Sequence, residues 1–272
     1  MVIHFHPGKT NVSLTPDPEA IRFDAITNQL IWVSEGERIV NDKKKVLTDP
    51  SINIMQTDGS YVGRFTLPEN LKMQADEKGP RQNESLEGIA FEKDCKSMYA
   101  SLEEPIYEDG PRADTKETNS WSRFYKFNVT TKRNTQQYAY RLDPVAYPSF
   151  PDNAFKVNGV SEILFVSQNR ILVIERSFST GRLGCTVKVF LGDMTNAESV
   201  IDIASLRENP PTNPIKKKLL LNMDDLGIYI DNVEGVTFGP DLPNGHKTLV
   251  FVTDNNFLSI EKTQILLFEI LP

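Results

Sequence analysis

Two cysteines, Cys95 and Cys185, are all that 272 residues carry. They lie far apart in the chain, are too few for a disulfide framework, and neither belongs to a CxxC pair of the kind that holds zinc. Histidine is nearly as scarce, with only His4, His6 and His246. His4 and His6 share one face of an extended segment, read first as a solvated pair and second as metal ligands. Ser-His-Asp catalysis has no convincing histidine, and the chain contains no GxSxG elbow, Gly-rich phosphate loop or HExxH motif. Long apolar runs are also missing. The opening MVIHFHPGKT has no long apolar core, so it reads neither as a signal peptide nor as a membrane span, and the compartment stays open. Basic charge is outnumbered, with 30 Lys and Arg against 37 Asp and Glu and a net charge of −7. That balance argues against phosphate-driven nucleic-acid binding and against a polybasic contact with an anionic membrane. A small-molecule or a protein partner stays open, with the oligomeric state undetermined.

What the sequence does contain is short β-rich runs: QLIWVSEG (29–36), SMYASLEE (97–104), RILVIERSF (170–178) and TLVFVTDNN (248–256). Turn clusters such as TDGS (57–60), EKDCK (92–96) and FGPDLPNG (238–245) separate them. One short helical turn is expected within 201–211, before its prolines end it. Just upstream of each run lies a second strand: 18–24, 86–92, 160–167 and 233–239. Two more strand candidates follow in the first unit (51–58, 61–67) and the second (122–129, 136–142). The third unit offers 186–194 and then either 199–206 or 217–223. The fourth has 263–271 and is one strand short, with VIHFH (2–6) a candidate for the missing edge. Four antiparallel strands recurring about every seventy residues predict an all-β chain, a single β-propeller domain over 1–272. Four repeats are visible, either as the whole ring or as part of a five- or six-bladed one.

Equivalent positions in a propeller lie on a ring about its axis. Aligned on apolar residues, the inner strands begin with Glu19, Glu87, Glu162 and Glu234, and the second strands end with Glu35, Glu103, Glu175 and Asp254. Antiparallel neighbours bring both columns out at one end of the molecule. Carboxylates converging there suit Ca²⁺, which takes six to eight hard oxygen ligands, better than zinc. Asn232, Asn255 and Asn256 add neutral oxygens. The plainer reading is that these acids cap strand ends. Arg176, next to Glu175, and Arg38 are either anion-binding forks or partners of the acids. The runs 43–45 and 216–218 of lysine read as solvated edges. Trp32, Trp121 and Phe257 are expected in the core or at the channel mouth.

The segments NESLEGIAFEKDCKSMYASLEEP (83–105), IERSF (174–178), DLGIYIDNVEGVTFGPDL (225–242) and VTDNNF (252–257) resemble the phytase-like esterase domain family. The resemblance runs from 16–24 to 264–271. It implies a propeller whose acidic residues serve phosphoester hydrolysis, often in secreted or periplasmic proteins. Matched residue by residue, it implies functional roles for Glu19, Glu87, Glu103, Glu175, Asn232, Glu234, Asp254 and Asn255. Family members usually begin with a further segment, so the chain looks about one blade short. Ala20 and Ile163 also stand where the motif has Gly, so not every blade is expected to carry a site.

The expected activity is calcium-assisted phosphoester hydrolysis. Glu19, Glu35, Glu87, Glu103, Glu175, Asn232, Glu234, Asp254 and Asn255 are the candidate metal ligands. Glu87 or Glu175 would act as proton acceptor and Arg176 would steady the anionic substrate. A non-catalytic ligand- or protein-binding propeller is the alternative, and a calcium-dependent carboxylic ester or lactone hydrolase a third.

Overall fold

Alternating β-branched and aromatic residues in runs of four to twelve, cut by Gly, Asn, Asp and Pro turns, leave the chain little choice but short antiparallel strands. The computed structural model describes residues 17–271 and contains seventeen strands. They are β1 (Pro18–Asp24), β2 (Gln29–Ser34), β3 (Glu37–Val40), β4 (Lys45–Thr48), β5 (Ser51–Gln56) and β6 (Tyr61–Arg64). Next come β7 (Leu86–Phe91), β8 (Ser97–Leu102), β9 (Trp121–Asn128), β10 (Arg133–Arg141), β11 (Lys156–Ser167) and β12 (Arg170–Ser179). The last are β13 (Thr186–Asp193), β14 (Lys216–Asn222), β15 (Asn232–Phe238), β16 (Thr248–Asp254) and β17 (Ile265–Glu269). Helix is limited to three short 3₁₀ turns, and among the described residues no helix is long and apolar enough to cross a membrane.

These strands form a four-bladed β-propeller. Blade 1 runs β1-β2-β5-β6, blade 2 β7-β8-β9-β10, blade 3 β11-β12-β13-β14 and blade 4 β15-β16-β17. All four follow the sequence repeat. In blade 3 the fourth strand is β14, so 217–223 is the correct alternative. The competing 199–206 belongs to an irregular connection, and the helical turn expected at 201–211 forms only turns there. The hairpin β3-β4 between β2 and β5 was not anticipated. VIHFH, His4 and His6 lie outside the described residues.

Apolar side chains fill the gaps between blades. Ile31, Val33, Ile52 and Ile54 of blade 1 share a buried cluster with Leu86, Ile89, Met98 and Phe127 of blade 2. Tyr99, Phe124 and Tyr140 of blade 2 pack with Val160, Ile163 and Val173 of blade 3. Leu172, Ile174 and Val189 of blade 3 pack with Val233, Val236 and Phe251 of blade 4. Each fully buried large side chain contributes about 1.5–3 kcal/mol, which holds neighbouring blades face to face. Trp121 joins a satellite cluster with Ala139, Val200 and Leu206, so it is core rather than mouth. Trp32 is likewise buried, whereas Phe257 is fully exposed. Both cysteines are free.

One ion pair sits where the inner strands converge. Arg22 of β1 donates from Nη2 to Glu162 Oε2 at 2.5 Å, to Ile163 O at 3.3 Å and to Val236 O at 3.4 Å. Glu162 Oε1 accepts from the amides of Ile89 (3.2 Å) and Ile163 (2.9 Å). Strands of all four blades are therefore tied to one guanidinium–carboxylate pair.

Candidate functional site

The inner strand of every blade carries a β-bulge at the same place. In blade 1, Pro18 faces Ser34 and Ile21 faces Trp32, so Glu19 and Ala20 share one partner. In blade 2, Glu87 and Gly88 sit between the pairs Leu86–Leu102 and Ile89–Ala100. In blade 4, Glu234 is the extra residue between the pairs Val233–Thr253 and Gly235–Val252. A bulge kinks its strand and re-aims a side chain. Here three glutamates are turned into one cavity of about 650 Å³.

Blade 3 differs from the sequence alignment by one residue. Its bulge lies between the pairs Val160–Glu175 and Glu162–Ile174, so Ser161, not Glu162, is equivalent to Glu19, Glu87 and Glu234. The same register makes Arg176, not Glu175, the counterpart of Glu35, Glu103 and Asp254. The ring is therefore acidic in three blades and basic in the third. Glu162 belongs to the axial pair with Arg22. Glu175 faces away from the cavity and accepts hydrogen bonds from Tyr140 Oη (2.7 Å), Asn158 Nδ2 (2.7 Å), Lys217 Nζ (2.6 Å) and the amide of Asp143 (3.0 Å). Lys217 also meets Asp143 at 2.7 Å, which corrects its reading as part of a solvated edge. Asn255 holds the following turn by accepting from the Phe257 amide at 3.1 Å and does not line the cavity. Arg38 is spent on the carbonyls of Gln74, Ala75 and Asp76.

The candidates brought together are Glu19, Glu35, Glu87, Glu103, Asn232, Glu234 and Asp254, with Arg176 among them. Carboxylate oxygens of Asp17, Glu19 and Glu35 lie within 4.8 Å of one another, and so do those of Glu35, Glu87 and Glu103. Arg176 Nη2 donates to Glu103 Oε1 at 2.7 Å, and Nη1 donates to both Asn232 Oδ1 and Glu234 Oε1. Glu35 accepts from the Ser85 amide. Asp17, Glu84, Asp231 and Glu261 also line the cavity. Sequence reasoning passed over all four, although the first three flank the start of an inner strand, the one signal that would have found them.

Crowding and burial act together on these acids. Burial, then the neighbouring Asp17, Glu234 and Glu103 carboxylates, pushes Glu19 up to about 8. Burial, then Glu103 and Glu19, pushes Glu35 and Glu87 well above the usual carboxylate range. Glu234 rises to about 7 because burial outweighs Arg176 beside it. At the edge, burial takes Glu84 to about 10 and Glu104 to about 7, although Arg112 reaches both at 3.1 Å. Burial alone would lower the Arg176 guanidinium, but Glu234, Glu103 and Glu87 hold it well above its ordinary value. One fixed arginine cannot neutralise so many carboxylates, so the arrangement favours either protons or a further cation.

A family model described as esterase-like activity of phytase matches residues 6–257. The chain belongs to the phytase-like family. No curated protein matches it. Among solved structures it is similar to hydrazine synthase of Kuenenia stuttgartiensis, at 13% identity and a TM-score of 0.37. That similarity covers 87% of this chain and 52% of the other, so this phytase-like chain spans about half the length of that structure.

Proposed function

We propose that this phytase-like propeller is a cation-assisted ester hydrolase acting on phosphoesters at its axial cavity. The observation that carries the reading is the convergence of buried carboxylates, presented by recurrent bulges, around a single arginine. The donor set fits a hard divalent cation such as Ca²⁺, because the clustered groups Asp17, Glu19, Glu35, Glu87 and Glu103 offer carboxylate oxygens. Asp17, Glu19 and Glu35 would hold it, with Glu103 close to Glu35. When bound, the ion supplies Lewis-acid polarisation of the phosphoryl oxygen and a lowered pKa for water.

Glu87 is the proton acceptor in this reading, in the ionised form that a neighbouring cation would favour over the raised, protonated one. As the water oxygen bonds to phosphorus and the ester P–O bond breaks, Glu87 takes the proton and returns it to the leaving alkoxide. Arg176 keeps Glu103 and Glu234 in place, since its fork is already engaged by three acceptors. That engagement also favours a second reading, a cavity that binds cation and ligand without turnover, because no arginine in the ring is left free for a phosphate.

The test is hydrolysis of an aryl phosphate by purified protein with Ca²⁺ and with excess chelator. Activity is expected to vanish in chelator, and Glu87→Gln to lower kcat by roughly 100-fold or more while Ca²⁺ affinity, measured by calorimetry, persists. Chelator-insensitive turnover would overturn the metal role. Calcium binding without turnover of any phosphoester or carboxylic ester would favour the second reading.

A further inference from the structure

The cavity has two unlike halves. Blades 1 and 2 furnish six of its ten acids, and blade 4 the other four, Asp231, Glu234, Asp254 and Glu261. Blade 3 and the loops of blade 4 line it with apolar groups: Phe155, Val157, Phe178, Leu183, Tyr229 and Ile260. Leu183 is 89% exposed, Ile260 77% and Phe155 53%, although they share one cavity and do not lie scattered over the surface. Single exposed apolar residues need no explanation, but a contiguous set on the wall of a candidate catalytic cavity does.

The wall is fixed in place. The turn bearing Leu183 is tied to the preceding loop by hydrogen bonds from Thr180 N to Phe155 O (3.0 Å) and from Phe150 N to Thr180 O (2.8 Å). On its far side Cys185 N donates to Ile230 O at 3.2 Å. Gly184, at φ +74°, lets the turn press on Tyr229, whose ring carbon would lie 3.0 Å from an added Cβ. Phe155 and Phe178 pack ring against ring with centroids 6.2 Å apart. Leu183 is thus presented to solvent at the cavity lip by a braced turn.

The charge of the cavity points the same way. Seven glutamates and three aspartates line it, with two arginines and no lysine. Arg176 is held by Glu103, Glu234 and Asn232. Arg182 lies over the Tyr147 ring at 3.4 Å. A substrate with several phosphates would carry its charge into a chamber of ten acids in which Arg182 is the one guanidinium not already engaged by carboxylates. One phosphoryl group at a bound cation, with an apolar remainder against blade 3, meets both halves.

We infer that the substrate class is a monophosphoester with an apolar alkyl or aryl group, and that Phe155, Leu183 and Ile260 determine this specificity by receiving that group. The inference rests on the hydrolase reading above and deepens it.

Non-hydrolysable methyl-, butyl- and octylphosphonate, titrated by calorimetry at fixed Ca²⁺, test it without requiring turnover. Affinity is expected to rise roughly threefold to fourfold per added methylene until the wall is covered, and fructose 1,6-bisphosphate should bind no tighter than methylphosphonate. The exposed-site double variant Leu183→Ser with Phe155→Ser should flatten the series, bringing the octyl-to-methyl affinity ratio close to one. A flat series in the wild-type protein, tighter binding of the bisphosphate, an unaltered gradient in the variant, or no binding of any phosphonate overturns the inference. Octyl phosphate hydrolysis, followed in parallel, separates the two claims. A steep binding series with no turnover sinks the hydrolase reading alone, whereas turnover with a flat series sinks the specificity alone.

Discussion

Glu162 shows how one residue can look like a ligand in sequence and act as a brace in the fold. Its carboxyl is buried among inner strands, and burial lifts it to about 7 from its ordinary 4.5 even though Arg22 and two amides oppose the shift. The sign of the consequence is fixed by which state holds the proton more tightly. Between about pH 4.5 and 7 the folded protein retains a proton that the unfolded chain releases, so this group's contribution falls as pH rises through that window. Glu162→Gln removes the titration while keeping the shape. Measured by denaturant unfolding, the wild type should lose on the order of 2–3 kcal/mol relative to the variant between pH 4.5 and 8. A difference that stays flat, or slopes the other way, would mean that the Arg22 pair dominates and the shift has been misassigned.

At the scale of the strand, the bulge is the device that builds the site, and it is also what the sequence concealed. Strand positions, blade boundaries and the order of pairing could be read from apolar alternation because the first two strands of every blade bury residues on one or both faces. The hairpin β3-β4 escaped because its residues are half-buried or exposed and its alternation is weak. The acids of blades 1, 2 and 4 were legible from their common spacing to the apolar residues. Blade 3 misled because it carries an acid one residue after the first true position, Glu162 beside Ser161, and one residue before the second, Glu175 beside Arg176, and a single-residue slip moves a side chain to the opposite face. That slip placed Glu175 in a ring where Arg176 stands, and no apolar pattern distinguishes the two. Gly159, opposite Arg176, gives a test of how tightly blades 2 and 3 meet there. An added Cβ would collide with the Glu103 side chain, whose Oε1 lies 3.0 Å away. Gly159→Ala should cost about 1–3 kcal/mol by thermal unfolding and weaken Ca²⁺ binding by displacing Glu103. Unchanged stability together with unchanged Ca²⁺ affinity would show that Glu103 has room to move.

Across the whole molecule, cohesion is a matter of neighbours. Buried clusters join blade 1 to 2, 2 to 3 and 3 to 4. At the seam between blades 4 and 1, a hydrogen bond runs from Arg22 to Val236 O. The two blades flanking that seam carry exposed apolar side chains on their inner and outer strands: Ile21 and Phe23 in blade 1, Phe238, Ile265 and Leu267 in blade 4. When each unit is stabilised mainly by its neighbours, a unit with one strong interface opens at lower free energy than a unit with two. Native-state hydrogen exchange should therefore give β15–β17 amides opening free energies at least about 2 kcal/mol below those of β12 and β13. Calcium sharpens the prediction, because Asp17, Glu19 and Glu35 come from blade 1 and Glu103, grouped with Glu35, comes from blade 2. An ion held by those groups stabilises only states in which both blades are docked. Its addition should raise protection in β1, β2, β7 and β8 and leave β17 nearly unmoved. Uniform protection across the four blades would refute the neighbour-coupling account, and a calcium effect concentrated in blade 4 would move the cation away from the carboxylates of blades 1 and 2.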